Sequence, residues 1–137
     1  MKISTMLSLG FLLGAVYLPE VYAQQVNGTP GSPSATTTID VLKGAWVRPD
    51  GGYTIAISKV DSNGQLEAMY FNPDQLSFAK AQATQDGLTV RASFELRAGG
   101  YNGSTYELTY DAANDRLKGI YFQAVAKQKF DVFFVRK

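Results

Sequence analysis

The stretch Asn63-Gly64-Gln65-Leu66-Glu67-Ala68-Met69-Tyr70-Phe71-Asn72 is respelled 51 residues later as Asn114-Asp115-Arg116-Leu117-Lys118-Gly119-Ile120-Tyr121-Phe122-Gln123. Each copy joins a turn, Asn-Gly or Asn-Asp, to a strand of form Leu-x-small-x-Tyr-Phe-amide. Asn, Asp and Gly tolerate the backbone angles that tight hairpins demand. The Leu, small and Tyr positions recur at a period of two, which puts them on one face of a strand. A repeated turn-plus-strand unit in a chain of 137 residues predicts a β-meander that closes on itself. A closed barrel has an inside, and an inside is a place to bind something.

The same alternation extends outward from both copies. Leu88, Val90, Ala92, Phe94 and Leu96 alternate with polar residues, and Tyr106, Leu108 and Tyr110 alternate with Glu107 and Thr109. Phe130, Val132 and Phe134 form a further period-two series. Turn clusters such as Asp50-Gly51-Gly52, Asn72-Pro73-Asp74, Gln85-Asp86-Gly87 and Ala126-Lys127 punctuate these runs. They predict eight strands at 43–49, 52–60, 65–71, 76–83, 87–97, 104–111, 116–124 and 128–136. A short helical turn from Thr38 to Leu42, capped by Thr38 or Asp40, precedes them.

Such strands form either a sandwich or an up-and-down barrel. Meander connectivity favours the barrel, which leaves no exposed edge. The 51-residue offset maps the second strand onto the sixth and the third onto the seventh, half a turn of an eight-strand ring. It also matches Gly52-Tyr53-Thr54 with Gly103-Ser104-Thr105, and Ile57 with Leu108. The expected class is all-β, an eight-stranded antiparallel up-and-down barrel.

Three segments precede or make up this domain. Residues 1–23 read as a cleaved Sec-type signal peptide: Lys2 is the basic start, Met6 to Tyr17 the apolar run, and Val21-Tyr22-Ala23 the cleavage site. The run is shorter than the ~20 apolar residues of a membrane span, so no stable membrane anchor is expected. The expected location is secreted or periplasmic. Residues 24–40, rich in Gly, Pro, Ser, Thr and Gln, read as a flexible leader, or as an arm that inserts into a partner. Residues 41–137 form the barrel domain. Asn27-Gly28-Thr29 and Asn102-Gly103-Ser104 match a glycosylation sequon and are read as turn residues.

Composition excludes much chemistry. The chain has no Cys and no His, which removes disulfides, thiolate or imidazole metal sites and His- or Cys-based nucleophilic machinery. A net charge of +1 argues against nucleic acid and against docking on anionic lipid. Glu95, Glu107, Asp111 and Asp131 fall on outward faces, where no acid–base pair shares a cleft. Gly99-Gly100-x-x-Gly103 lacks the lysine and helix of a phosphate loop. No catalytic residue, metal or cofactor is expected, and the protein reads as a non-enzyme.

Gly44-Ala45-Trp46 opens the first strand, the Asp61-to-Tyr70 hairpin strand follows, and Arg136 ends the last strand. Together these resemble the avidin and lipocalin (calycin) barrels, across most of residues 42–136. The resemblance implies that Trp46 plugs one end of the barrel, with Gly44 beside it and Arg136 packed over the indole. A guanidinium on an indole face is physically sound. The spacing looks more like avidin. The chain departs from avidin in having a single Trp, so a biotin cage is not expected, and from lipocalins in lacking their length and C-terminal helix. Trp46-x-x-Pro-Asp-Gly-Gly-Tyr53 also resembles the opening of small secreted bacterial proteins of unknown function.

With Trp46 and Arg136 inward, the period of two sets every other face. Tyr53, Ile55, Ile57, Leu66, Ala68, Tyr70, Leu88, Val90, Phe94, Tyr106, Leu117, Gly119, Tyr121, Gln123 and Phe130 point in. The interior is then either a packed core or a pocket in which Tyr53, Tyr70, Tyr106, Tyr121 and Gln123 offer polar handles to a small apolar or aromatic ligand. Met69, Phe71, Ile120, Phe122, Phe133 and Val135 point out and suggest an interface, hence a homo-oligomer. The rival function is an interaction module, a structural oligomer or an inhibitor of a secreted enzyme, acting through that patch or through the leader.

Overall fold

The computed structural model describes residues 38–97 and 99–137. Its strands are β1 (Gly44–Val47), β2 (Thr54–Val60), β3 (Leu66–Asn72), β4 (Asp74–Asp86), β5 (Thr89–Leu96), β6 (Thr105–Asp111), β7 (Arg116–Gln123) and β8 (Gln128–Arg136). They follow one another around a closed ring, β1 to β8, with every neighbouring pair antiparallel. The ring closes where Trp46 pairs with Arg136 and Val47 with Val135. Closure leaves no edge strand, which matters in a chain without disulfides.

The repeat seen in the sequence is a repeat of register. Thr54↔Phe71, Ile55↔Tyr70, Ala56↔Met69 and Ile57↔Ala68 join β2 to β3. Each pair advanced by 51 gives Thr105↔Phe122, Tyr106↔Tyr121, Glu107↔Ile120 and Leu108↔Gly119, which join β6 to β7. The two hairpins diverge beyond that point, where β2 carries a bulge between Ile57 and Lys59. Glycine is needed at position 119, because a Cβ there would lie 1.9 Å from the Glu107 carbonyl oxygen. β7 thus passes unusually close to β6.

Three expectations are corrected. β4 is longer than the predicted 76–83, because Asp74 already pairs with Asn72 and only Pro73, which has no N–H to give, sits in the bend. Leu88 does not point into the barrel. It is 76% exposed, since the Gly87 turn (φ 58°) runs on to residue 88 and the ladder begins only at Thr89. The predicted turn is a 3-10 turn at Ile39–Leu42, but no side chain caps it: the Thr38 carbonyl accepts from Val41 N at 3.0 Å, and Asp40 pairs with Lys43 at 2.7 Å. Ile39 packs against the core rather than trailing in a leader. The signal peptide and the leader up to residue 37 lie outside the described residues.

The core fills one end of the barrel. Leu42, Trp46, Ile55, Val90, Leu117 and Phe134 are fully buried. Trp46 Nε1 donates to the Leu42 carbonyl at 2.8 Å, tying the 3-10 turn across the barrel end. The Arg136 guanidinium lies 4.1 Å from the indole centroid. It donates to the Lys43 carbonyl at 2.8 Å, to the Val41 carbonyl at 3.0 Å, and to both Asp115 oxygens at 2.8 and 3.0 Å. Gly44 (φ 126°) sits against this cluster, since a Cβ there would be 3.0 Å from Arg136 Nη1. Tyr110 meets the indole edge-on at 6.2 Å and donates its hydroxyl to Asp115 at 3.0 Å. Gly44, Trp46 and Arg136 lie together, and Asp115 completes the arrangement.

Candidate functional site: a tyrosine-lined mouth

The opposite end carries the β1–β2, β3–β4, β5–β6 and β7–β8 connections, and there the filling stops. The β1–β2 loop is clamped by Arg48 N donating to the Tyr53 carbonyl and Gly52 N donating to the Arg48 carbonyl, both at 2.8 Å. Gly51 leaves room for the Tyr53 ring, because a Cβ there would lie 2.2 Å from it. The loop therefore folds Tyr53 and Arg48 back toward the barrel axis.

Between the loops is a cavity of about 250 Å³. Tyr70 and Tyr106 form its floor, their hydroxyls 3.2 Å apart. Tyr70 stands on β3 and Tyr106 on β6, so this hydrogen bond crosses the lumen. Tyr53 stacks beside Tyr70 at 6.3 Å, Tyr121 beside Tyr106 at 4.6 Å, and Phe130 beside Tyr121 at 6.2 Å. Arg48, Asn72, Tyr101 and Gln123 add the polar lining. Asn72 Nδ2 donates to the Tyr101 hydroxyl at 2.9 Å, which joins the rim of β3 to the β5–β6 loop.

All five residues anticipated as pocket candidates, Tyr53, Tyr70, Tyr106, Tyr121 and Gln123, line this cavity. Phe130 lines it too, at the rim, where it is 43% exposed despite its inward phase. Arg48, Asn72 and Tyr101 went unassigned. Two of them carried a signal. Arg48 lies two residues beyond inward Trp46, and Asn72 is the 51-residue counterpart of Gln123. Tyr101 stands in an irregular loop, where no periodicity can place it.

The electrostatics are those of a buried cation among neutral phenols. Burial pushes the Tyr70, Tyr106 and Tyr121 hydroxyls above the ordinary phenol value, so they stay protonated at neutral pH. For Tyr106 the hydrogen bonds from Tyr70 and Arg48 oppose that rise. Arg48 is 9% exposed. Asp50 engages it through Nε at 2.9 Å and Nη2 at 2.5 Å, which raises the arginine and lowers the carboxyl. The site can clamp a planar ring, donate and accept hydrogen bonds, and meet one negative charge. Among the described residues no group of three His, Cys, Asp or Glu could hold a metal.

The anticipated interface residues divide into two sets. Ile120, Phe122, Phe133 and Val135 lie on β7 and β8, while Met69 and Phe71 lie on β3, toward the other side of the ring. Register interleaves charge with the first set: Ile120 faces Asp131, Phe122 faces Lys129, Phe133 faces Lys118 and Val135 faces Arg116. Arg116 also covers the Phe133 ring at 5.6 Å. Phe133 and Val135 remain 42% and 37% exposed. The outer face is a chequer of apolar and charged side chains.

No protein-family model, no curated protein and no solved structure matches the chain, and its architecture is that of a closed eight-stranded antiparallel barrel compatible with a calycin-like fold.

Proposed function

We propose that this is a secreted or periplasmic, non-catalytic barrel of avidin-like or lipocalin-like kind that holds one small aromatic or apolar molecule in its mouth. The observation that carries the reading is the cavity of about 250 Å³, walled by tyrosine rings above the buried core. An apolar cavity of about 150 Å³ accepts benzene, and drug-sized ligands need roughly 300 Å³ or more. The mouth is therefore sized for one substituted ring. Stacking faces from Tyr53 and Tyr121 supply affinity, and the Gln123 amide and the phenol hydroxyls supply orientation.

The test is an NMR screen of single-ring compounds against the labelled protein. Binding is expected to shift the amides of Tyr53, Tyr101 and Gln123. Tyr53→Ala with Gln123→Ala should abolish it without unfolding the domain. Tyr70, which is 2% exposed and floors the site, is a poorer target because its loss also empties the core. A screen whose only hits shift the outer face of β7 and β8 would overturn the reading.

The exposed Phe133 and Val135 favour a second reading, an interaction module whose outer face joins two copies of the chain. Sedimentation of the wild type beside Phe133→Lys tests it, since only an interface residue changes the sedimenting mass. Deleting residues 24–38 separates the leader-borne inhibitor variant, which would lose its activity, from a mouth-binding protein, which would keep its own.

A further inference from the structure

Among the described residues that line the mouth cavity, Arg48 alone is charged. Its fork is held from one side only. Asp50 takes the Nε and Nη2 hydrogens, and Asp50 itself stands outside the cavity with its side chain 62% exposed. On the cavity side Nη1 reaches the Tyr106 hydroxyl at 3.4 Å, long for an N–H···O bond. These three contacts use one hydrogen on each nitrogen, and no other described residue accepts from Nη1 or Nη2. The Tyr53 and Tyr121 ring centroids lie 4.9 and 5.9 Å from the guanidinium carbon. A buried cation is thus oriented by an external carboxylate, flanked by two aromatic rings, and borders a cavity the size of one ring.

We infer that the mouth selects a small aromatic anion, a single ring bearing a carboxylate, with the carboxylate on the Nη1–Nη2 edge of Arg48 and the ring among Tyr53, Tyr121 and Phe130. The inference rests on the binding reading above and gives it a ligand class. A guanidinium edge matches a carboxylate with two parallel hydrogen bonds, and such charge-assisted bonds are roughly twice as strong as neutral ones. No carboxylate lines the cavity to repel the ligand. Asp50 acts as a positioning residue, fixing the fork so that little side-chain entropy is lost on binding. Gln123 and the Asn72 carbonyl, on the rim, are placed to meet a polar substituent on the ring's far side.

The experiment compares benzoate with benzamide, its neutral isostere, on the full mature chain by NMR titration at neutral pH. Benzoate is expected to bind at least about tenfold more tightly, with shifts at Tyr53, Tyr101 and Gln123. Arg48→Lys, which keeps the charge and loses the fork, should erase most of that preference, lowering benzoate affinity much more than benzamide affinity. If benzamide binds in the mouth as tightly as benzoate, the anion inference fails and the binding reading stands. If neither shifts those amides at about 10 mM, weaker than any specific site should be, both fail. Should Arg48→Lys not fold, the two ligands on the wild-type protein still decide.

Discussion

The barrel has two ends, and each carries an arginine on an aromatic ring, yet one is sealed and the other is open. At the sealed end Arg136 lies 4.1 Å over Trp46 and gives its hydrogens to two backbone carbonyls and to Asp115. At the open end Arg48 lies 4.9 Å over Tyr53 and gives its hydrogens mainly to Asp50, a neighbour in the same loop. Trp46 and Arg48 sit two residues apart on the same inward face of one chain segment. The difference is in what the cation ties together. Arg136 joins segments 93 and 95 residues apart, so it staples the fold. Arg48 closes a contact of two residues, so most of its stabilising work is local and its inner edge is left over.

Substitution should break the sealed end far more than the mouth. Trp46→Ala is expected to cost ~3–5 kcal/mol, the range for removing a buried aromatic ring. That is a large fraction of the stability of a small domain. Tyr53→Ala, which removes a half-buried ring at the rim, should cost only about 1 kcal/mol. Urea denaturation of the two variants measures the contrast, and equal losses would mean that the mouth is part of the core. Glycines give the same contrast on a smaller scale. Gly44→Ala forces a side chain into φ 126° against Arg136 and should cost about 1–3 kcal/mol. Gly100→Ala, in the mouth loop with nothing within 4 Å, should stay within about 0.5 kcal/mol of wild type.

Acid sharpens the comparison further. Arg136 lowers the Asp115 carboxyl at the sealed end, and Arg48 lowers Asp50 at the mouth. Asn114 and Arg116 hold Asp111 down at about 2. A carboxyl lowered on folding stabilises the native state above its unfolded value, near pH ~3.9, and that contribution is lost as pH falls through the folded value. Stability should therefore fall between about pH 4 and about pH 2. Asp115→Asn should flatten this slope more than Asp50→Asn, because Arg136 ties Asp115 to the Lys43 and Val41 carbonyls across the barrel end, while Arg48 reaches beyond its loop only through a long contact to Tyr106. Denaturation midpoints at a series of acidic pH values decide it, and equal slopes would remove the distinction between the two arginines.

The sealed end was legible in the sequence, and so was half of the mouth. Gly44, Trp46 and Arg136 stand at fixed positions in strands, where a period of two predicts the face, and the resemblance to calycin barrels implied the pairing. The five mouth candidates were legible for the same reason: all are strand or strand-flanking residues in phase with Trp46 or with the repeat. Tyr101 was not legible, because its loop obeys no period. Arg48 was in phase, yet a charge on an inward face conflicts with the expectation that lysine and arginine stay wet. Asp50, which makes the burial tolerable, becomes visible as its partner only once the loop is folded. Leu88 shows the reverse error, a period extended one turn too far past Gly87.

The cross-lumen bond is where the two ends meet. Tyr70 and Tyr106 separate the packed half from the cavity, and Ile55, not tyrosine, occupies the repeat position of Tyr106. A barrel with isoleucine at both positions would have no such bar, so the floor depends on Tyr106, where the repeat is broken. A neutral hydrogen bond contributes about 0.5–1.5 kcal/mol net, and removing both partners together is nearly neutral. Tyr70→Phe should cost about 1 kcal/mol by leaving Tyr106 with only its long contact to Arg48. The double variant Tyr70→Phe/Tyr106→Phe should cost less than the sum of the singles, by about 0.5–1 kcal/mol of coupling in a double-mutant cycle. Additive losses would mean that the hydroxyls do not meet in solution. The cavity would then extend deeper than the observed floor, and ligands longer than a single ring would enter it.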